Sequence, residues 1–257
     1  VTLLSKPIAK LINADITQTA RAATLCKADL CTDMVGEFPE LQGVMGRYYA
    51  QHDAEDDAVA LALDEVYKPR FSGDSLAESK VGLSLALADR LDSLVGLFGI
   101  GKIPTGTKDP FALRRATLGI LRMLIEKECD LDLKALIAET IKLYQDKLSN
   151  PTVAEDVWAF CQERLKHWAQ SEGFSTEIYR AVAFKQLSNP LDIKRRLDAV
   201  KQFSALPEAQ ALSEANKRVK NILAKNNNTL QDHINDAALK EPAEKTLAKT
   251  ITDKQKT

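Results

Sequence analysis

The chain has 257 residues, 45% of them hydrophobic and 28% charged, with a formal net charge of −1. That balance excludes a disordered chain and gives enough length for one large domain or two ordinary ones. A near-neutral total excludes a surface that attracts nucleic acid everywhere, while leaving room for local basic stripes. No apolar run reaches the roughly 18–20 residues of a membrane span and no basic-then-apolar leader opens the chain, so a cytoplasmic protein is expected.

Ala and Leu are abundant, glycines number only 11, and the helical period dominates throughout, so the fold class is all-α. Helices are predicted over 2–13 and 16–31, the second with Asp15 as N-cap. The chain opens at Val1 in the middle of an amphipathic pattern (Leu3, Leu4, Ile8, Leu11, Ile12), which points to a piece of something longer. A third helix is expected from Pro39 to about His52, proline suiting a first turn. A fourth spans 54–67, with Glu55, Asp56 and Asp57 at its positive end. After a break over 68–74, the apolar stretch Val81–Phe98 reads as a central core helix.

Residues 99–110 form the densest Gly/Pro stretch of the chain, hence a loop, and a basic helix over about 110–127 follows it. Further helices are expected at 132–148, 151–171, 175–187, 190–204 and 209–225. Asp132, Pro151, Ser175 and Pro190 stand at or near the starts of four of them. A turn at Asn226–Asn228 leads to a polar, lysine-rich end that should fray. The division into domains is placed at 1–145 and 146–257. The four cysteines (Cys26, Cys31, Cys129, Cys161) form no CxxC pair and are expected to be reduced core thiols. Trp158, Phe160 and Trp168 fall at helical spacing and should pack in the core.

One segment carries a chemical signal of its own. A glycine-rich turn followed by Lys108 and, at a helix start, Arg114 and Arg115 offers backbone N–H groups and guanidinium forks that suit phosphate oxygens. A structural alternative stands beside it: Asp109 caps the helix, Phe111 and Leu113 join the core, and one arginine pairs with Asp89 or Asp92. Both can hold at once, because adjacent arginines point roughly 100° apart on a helix.

Four segments taken in order resemble signatures of the β subunit of bacterial glycyl-tRNA synthetase: Lys27-Ala28-Asp29-Leu30 through Met34–Gly43; Ala88-Asp89-Arg90-Leu91-Asp92; Phe98-Gly99-Ile100-Gly101 through Lys108–Arg115; and, more weakly, Ala215–Leu223. The resemblance implies an HD-like helical domain, then a second helical bundle leading into a truncated domain similar to the anticodon-binding domain of arginyl-tRNA synthetase. It implies a tRNA-binding and assembly role in an α2β2 tetramer. The α subunit would hold the class II site that uses ATP, magnesium and glycine to charge the tRNA for glycine, leaving no catalytic residue, cofactor or metal in this chain. The candidate tRNA contacts are Lys108, Arg114 and Arg115, with Lys217, Arg218 and Lys220 of the last segment, where Val219, Ile222 and Leu223 mark a core face.

HD domains in hydrolases gather metal ions with a His, a His-Asp pair and a distant Asp. Here the corresponding positions read as Lys27, Asp29 and Asp89, and no histidine precedes His52, so the site looks dismantled. His52-Asp53 is read as a helix-end pair, and His167 and His233 as isolated histidines. The rival readings are a metal-dependent nucleotide phosphohydrolase of HD type and a purely structural subunit-assembly module.

Overall fold

The computed structural model describes residues 1–71, 73–225 and 238–255, and every regular element among them is helical. They fall into two compact units, Val1–Phe203 and Ser204–Thr257. The division expected at residues 145 and 146 lies within the first unit, between helices that both pack on the same central helix.

In the first unit α1 (Thr2–Leu11) and α2 (Ile16–Leu25) form the opening hairpin, with the Asp15 side chain accepting from Gln18 N at 2.9 Å. The helix expected to continue to residue 31 stops at Leu25. Cys26 is extended and Lys27 takes a left-handed φ of +69°, so the path resumes as a 3-10 turn, Ala28–Cys31. Next come α3 (Asp33–Glu37) and a second 3-10 turn beginning at Pro39, and only then α4 (Val44–His52). The delay has a local cause. Gly43 sits at φ +83°, where a Cβ would lie 2.5 Å from the Tyr67 ring, and that kink separates Pro39 from the helix it was expected to start.

After α5 (Asp57–Glu65), helix α6 (Lys80–Gly99) runs through the middle of the unit, packed by α1, α2, α5, α7 (Leu113–Glu126), α8 (Leu133–Tyr144) and α9 (Val153–Ser171). It is apolar around most of its circumference, with Leu85, Leu87, Leu91, Leu94 and Phe98 fully buried, as a helix enclosed on all sides must be. The α5–α6 junction rests on one carboxylate. Buried Glu65 accepts from Glu78 N at 2.7 Å and from the Ser79 hydroxyl at 2.5 Å, and Ser79 in turn caps α6.

The unit closes with α10 (Thr176–Ala183) and α11 (Pro190–Ser204). Trp168 is core, and Trp158 and Phe160 pack partly buried against it, Phe160 5.1 Å from the Phe98 ring. All four cysteines are free; Cys129 and Cys161 are buried as expected, whereas Cys31 is exposed on the turn after α2.

The second unit contains α12 (Glu208–Lys225) and α13 (Pro242–Gln255). Val219, Ile222 and Leu223 are exposed on α12, not core as the sequence pattern suggested, because no described element covers that face. The end expected to fray is helical instead. Pro242 occupies a first-turn position, and Glu244 accepts from the N–H groups of Lys240 and Glu241 at 2.9 and 3.0 Å. The Asn226–Asn228 turn and His233 lie outside the described residues.

Candidate functional site

The α6–α7 loop is shaped by its glycines and by one aspartate. Gly101 and Gly106 have φ of +74° and +52°, a region that side chains disfavour. Thr105 and Lys108 exchange both backbone hydrogen bonds around Gly106, closing a tight turn. Asp109 then folds its carboxylate onto the start of α7, accepting from Leu113 N at 2.8 Å and Arg114 N at 2.9 Å, so two of the donors that a helix start leaves free are satisfied.

This arrangement sorts the candidate cations. Lys108 stands exposed on the turn, and the Arg114 guanidinium donates to Gly106 O at 2.5 Å. Arg115 is exposed with no ion-pair partner among the described residues. Neither arginine pairs with Asp89 or Asp92, and Asp89 faces Lys27 instead. Leu113 is core, but Phe111 is 50% exposed. The capping part of the structural alternative therefore holds, and its arginine pairing does not.

Arg114 and Arg115 open onto a groove of about 1080 Å³ between α7 and α9. Arg122 of α7, Arg164 and His167 of α9 and Lys194 of α11 also line it, opposed by Glu126, Glu128 and Glu172, with Leu118, Ile125 and Trp168 as its apolar part. Some of the charge is internally balanced: Arg122 binds Glu126 at 2.6 Å and Lys194 binds Asp198. Sequence reasoning missed Arg122, Arg164 and Lys194, and read His167 as isolated. Only the packing of α9 on α7 joins residues some fifty positions apart, and α9 by itself announces an aromatic core stripe. Lys217, Arg218 and Lys220 are exposed on α12 of the other unit.

On the far side of Arg115 lies a smaller cleft of about 350 Å³, walled by α6, the start of α7 and the segments around Gln42 and Pro69. Pro69 and Arg115 border both cavities. Beside this cleft lie the three positions that the resemblance to HD domains singles out, Lys27, Asp29 and Asp89. The Lys27 ammonium forms an ion pair with Asp89. Asp29, buried, accepts from Gly43 N at 2.6 Å and lies against Gly46.

A lysine paired with Asp89 supplies the positive charge that a metal would bring and consumes the carboxylate that would hold it. No group of three or more His, Cys, Asp or Glu residues among those described has an arrangement able to hold a metal ion. His52 is exposed, 3.2 Å from Asp53. Burial, reinforced by Asp89, pushes the neighbouring Cys26 thiol up, so it is not an activated nucleophile.

Tyr67 and Arg90 shape the cleft wall. Burial raises the Tyr67 phenol to about 12, against an opposing pull from Gln42, and its hydroxyl oxygen is buried with no partner of proper hydrogen-bond geometry. The Arg90 guanidinium is buried and donates to the carbonyls of Val66, Tyr67, Pro69 and Ala86. Burial lowers it to about 10, Asp89 opposing that fall and Arg115 adding to it. No helix among the described residues is long and apolar enough to cross a membrane.

The family model described as "Glycyl-tRNA synthetase beta subunit" matches residues 1–184. The chain is 51% identical over 241 residues to a glycine–tRNA ligase β subunit of Citrobacter koseri, covering 94% of this chain and 35% of that protein. It is 49% identical over 244 residues to those of Escherichia coli and Shigella boydii, covering 95% of this chain and 35% of each. The chain thus spans about a third of the length of the curated relatives it matches.

Proposed function

This chain belongs to the glycyl-tRNA synthetase β-subunit family, and from that premise we propose that it is a tRNA-binding and assembly portion of a glycine–tRNA ligase and performs no chemistry itself. The ATP- and magnesium-dependent attachment of glycine to tRNA takes place in a partner α subunit of class II type, within an α2β2 assembly in the cytoplasm. The observation that carries the reading is the α7–α9 groove. Arg115 is exposed and unpaired at its mouth, and cations from three helices line it, in a chain whose net charge is only −1.

Guanidinium and ammonium groups ranged along a groove suit the phosphates of a nucleic-acid backbone, which fix position without reading sequence. The phosphohydrolase rival is disfavoured by the Lys27–Asp89 pair, which leaves no cluster of histidine and carboxylate ligands at the HD-like position.

Fluorescence anisotropy with the tRNA for glycine, at low and at moderate salt, tests the reading. Binding that weakens steeply with salt is expected, and replacing both Arg114 and Arg115 by alanine should flatten the salt slope by about one to two phosphate contacts. Absence of binding at tens of micromolar in low salt rejects tRNA contact. If the α subunit still binds under those conditions, the chain is an assembly module only.

A further inference from the structure

The 350 Å³ cleft beside Arg115 presents polar groups that the fold leaves unused. The Tyr67 hydroxyl is buried with only a poorly aligned approach from Gln42, and the Ser93 side chain lines the same space. Arg115 has no ion pair among the described residues, and Phe111, half exposed, lines the cleft two residues before the buried Leu113.

An aromatic ring kept out of the core, a free guanidinium and hydroxyls converging on a space of this size are the features of a site for one planar, anionic ligand. The Lys27–Asp89 pair matters here for a second reason. It balances Asp89 in the cleft wall, so of the two carboxylates lining the cleft only the exposed Glu40 at its edge stands without an ion pair, against the free Arg115.

We infer that this cleft receives a single unpaired nucleotide of a bound RNA, its base against Phe111 and its phosphate at Arg115. The inference rests on the RNA-binding reading given above and deepens it: the groove holds paired backbone, and the cleft, too small for a duplex, takes a base that has left the stack. Arg115 and Pro69 line both cavities, so the two lie side by side with one arginine between them. Base–aromatic stacking is tolerant of sequence, so the cleft selects for a free strand end or unstacked residue and not for a particular base, while the two hydroxyls offer donors and acceptors to a base edge.

The test compares two RNA hairpins with this chain at low salt: one blunt, the other extended by a four-nucleotide 3′ single strand carrying 4-thiouridine. The extension should tighten binding by about tenfold, within the range of one base–aromatic stack. Phe111→Ala should abolish that gain without changing affinity for the blunt hairpin, and Phe111→Trp should restore it. Long-wavelength irradiation should cross-link the extension to the peptide carrying Phe111 or Tyr67.

Equal affinity for blunt and extended hairpins overturns the inference while leaving the groove's role intact. So does a gain that survives Phe111→Ala, or cross-linking confined to other peptides. Failure of both hairpins to bind at tens of micromolar overturns the RNA reading itself, and this inference with it.

Discussion

Replacing Arg90 by alanine probes whether the wall shared by both cavities is held by one buried cation. Arg90 is 8% exposed, and its guanidinium reaches Val66 O at 2.9 Å, Tyr67 O at 3.0 Å and Pro69 O at 3.3 Å, with Ala86 O of its own helix at 3.2 Å. Three of these bonds tie the segment between α5 and α6 to the central helix. At roughly 1.5–3 kcal/mol per bond from a charged donor they are worth about 4.5–9 kcal/mol. Against that stands the cost of keeping the cation out of water, which the fall from 12.5 to about 10 sets at roughly 3 kcal/mol. The difference leaves a net loss of about 3 kcal/mol as the expected central value, with Arg90→Lys losing less because its ammonium still donates to some of the carbonyls, and still losing something because it cannot span all four. Urea denaturation at constant m-value reads the loss directly, and the melting temperature should fall by about 6–12 °C. A loss below about 1 kcal/mol for Arg90→Ala would show that water replaces the guanidinium at no cost and would refute the claim that this side chain organises the wall.

Three further substitutions address other parts of the chain. Gly82→Ala places a Cβ 2.1 Å from Glu65 Oε2 and 2.7 Å from Glu65 Cβ, so the carboxylate must leave the start of α6; a loss of about 2–4 kcal/mol by chemical denaturation is expected, and a neutral result would mean that Glu65 is dispensable there. Asp109→Ala removes the side chain that caps α7 and should cost about 1 kcal/mol, while Asp109→Asn, which keeps one acceptor, should recover much of it. Asp156 accepts from Asn150 and Thr152 at 2.9 Å, and those side chains hold its carboxyl below the ordinary 3.8. A carboxylate depressed in the folded state stabilises above its unfolded value and loses that contribution as acid protonates it. The stability gap between the parent chain and Asp156→Ala, measured at neutral pH, should therefore close as the pH falls below 3.8; a gap independent of pH removes the ionised carboxylate from the account.

What the sequence makes legible depends on how far apart the cooperating residues lie. The central helix declares itself within twenty residues, because a segment apolar on every side has nowhere to go except the middle of the unit, and Val81–Phe98 falls within α6. Caps are equally local: Asp15, Asp132 and Ser175 each bond the backbone three residues on. Local rules fail where a distant side chain sets the backbone. The helix expected from Pro39 is interrupted at Gly43, whose left-handed backbone lies so close to the Tyr67 ring that no side chain fits there, and the sequence around Pro39 does not reveal that approach.

The same limit governs the candidate site. Arg114 and Arg115 are visible because a glycine-rich loop precedes them, and Lys27, Asp29 and Asp89 because a family pattern points to them. That Lys27 and Asp89 meet is a tertiary fact, as is the lining of one groove by Arg122, Arg164 and Lys194. Phe111 makes the sharpest case. Hydrophobicity alone assigns it to the core together with Leu113, yet the Asp109 cap fixes the first turn of α7 so that Leu113 is buried and Phe111 left at the cleft rim. An aromatic residue exposed by a cap that its own neighbour provides is held there by the fold, and it is the feature by which the cleft differs from an ordinary surface depression.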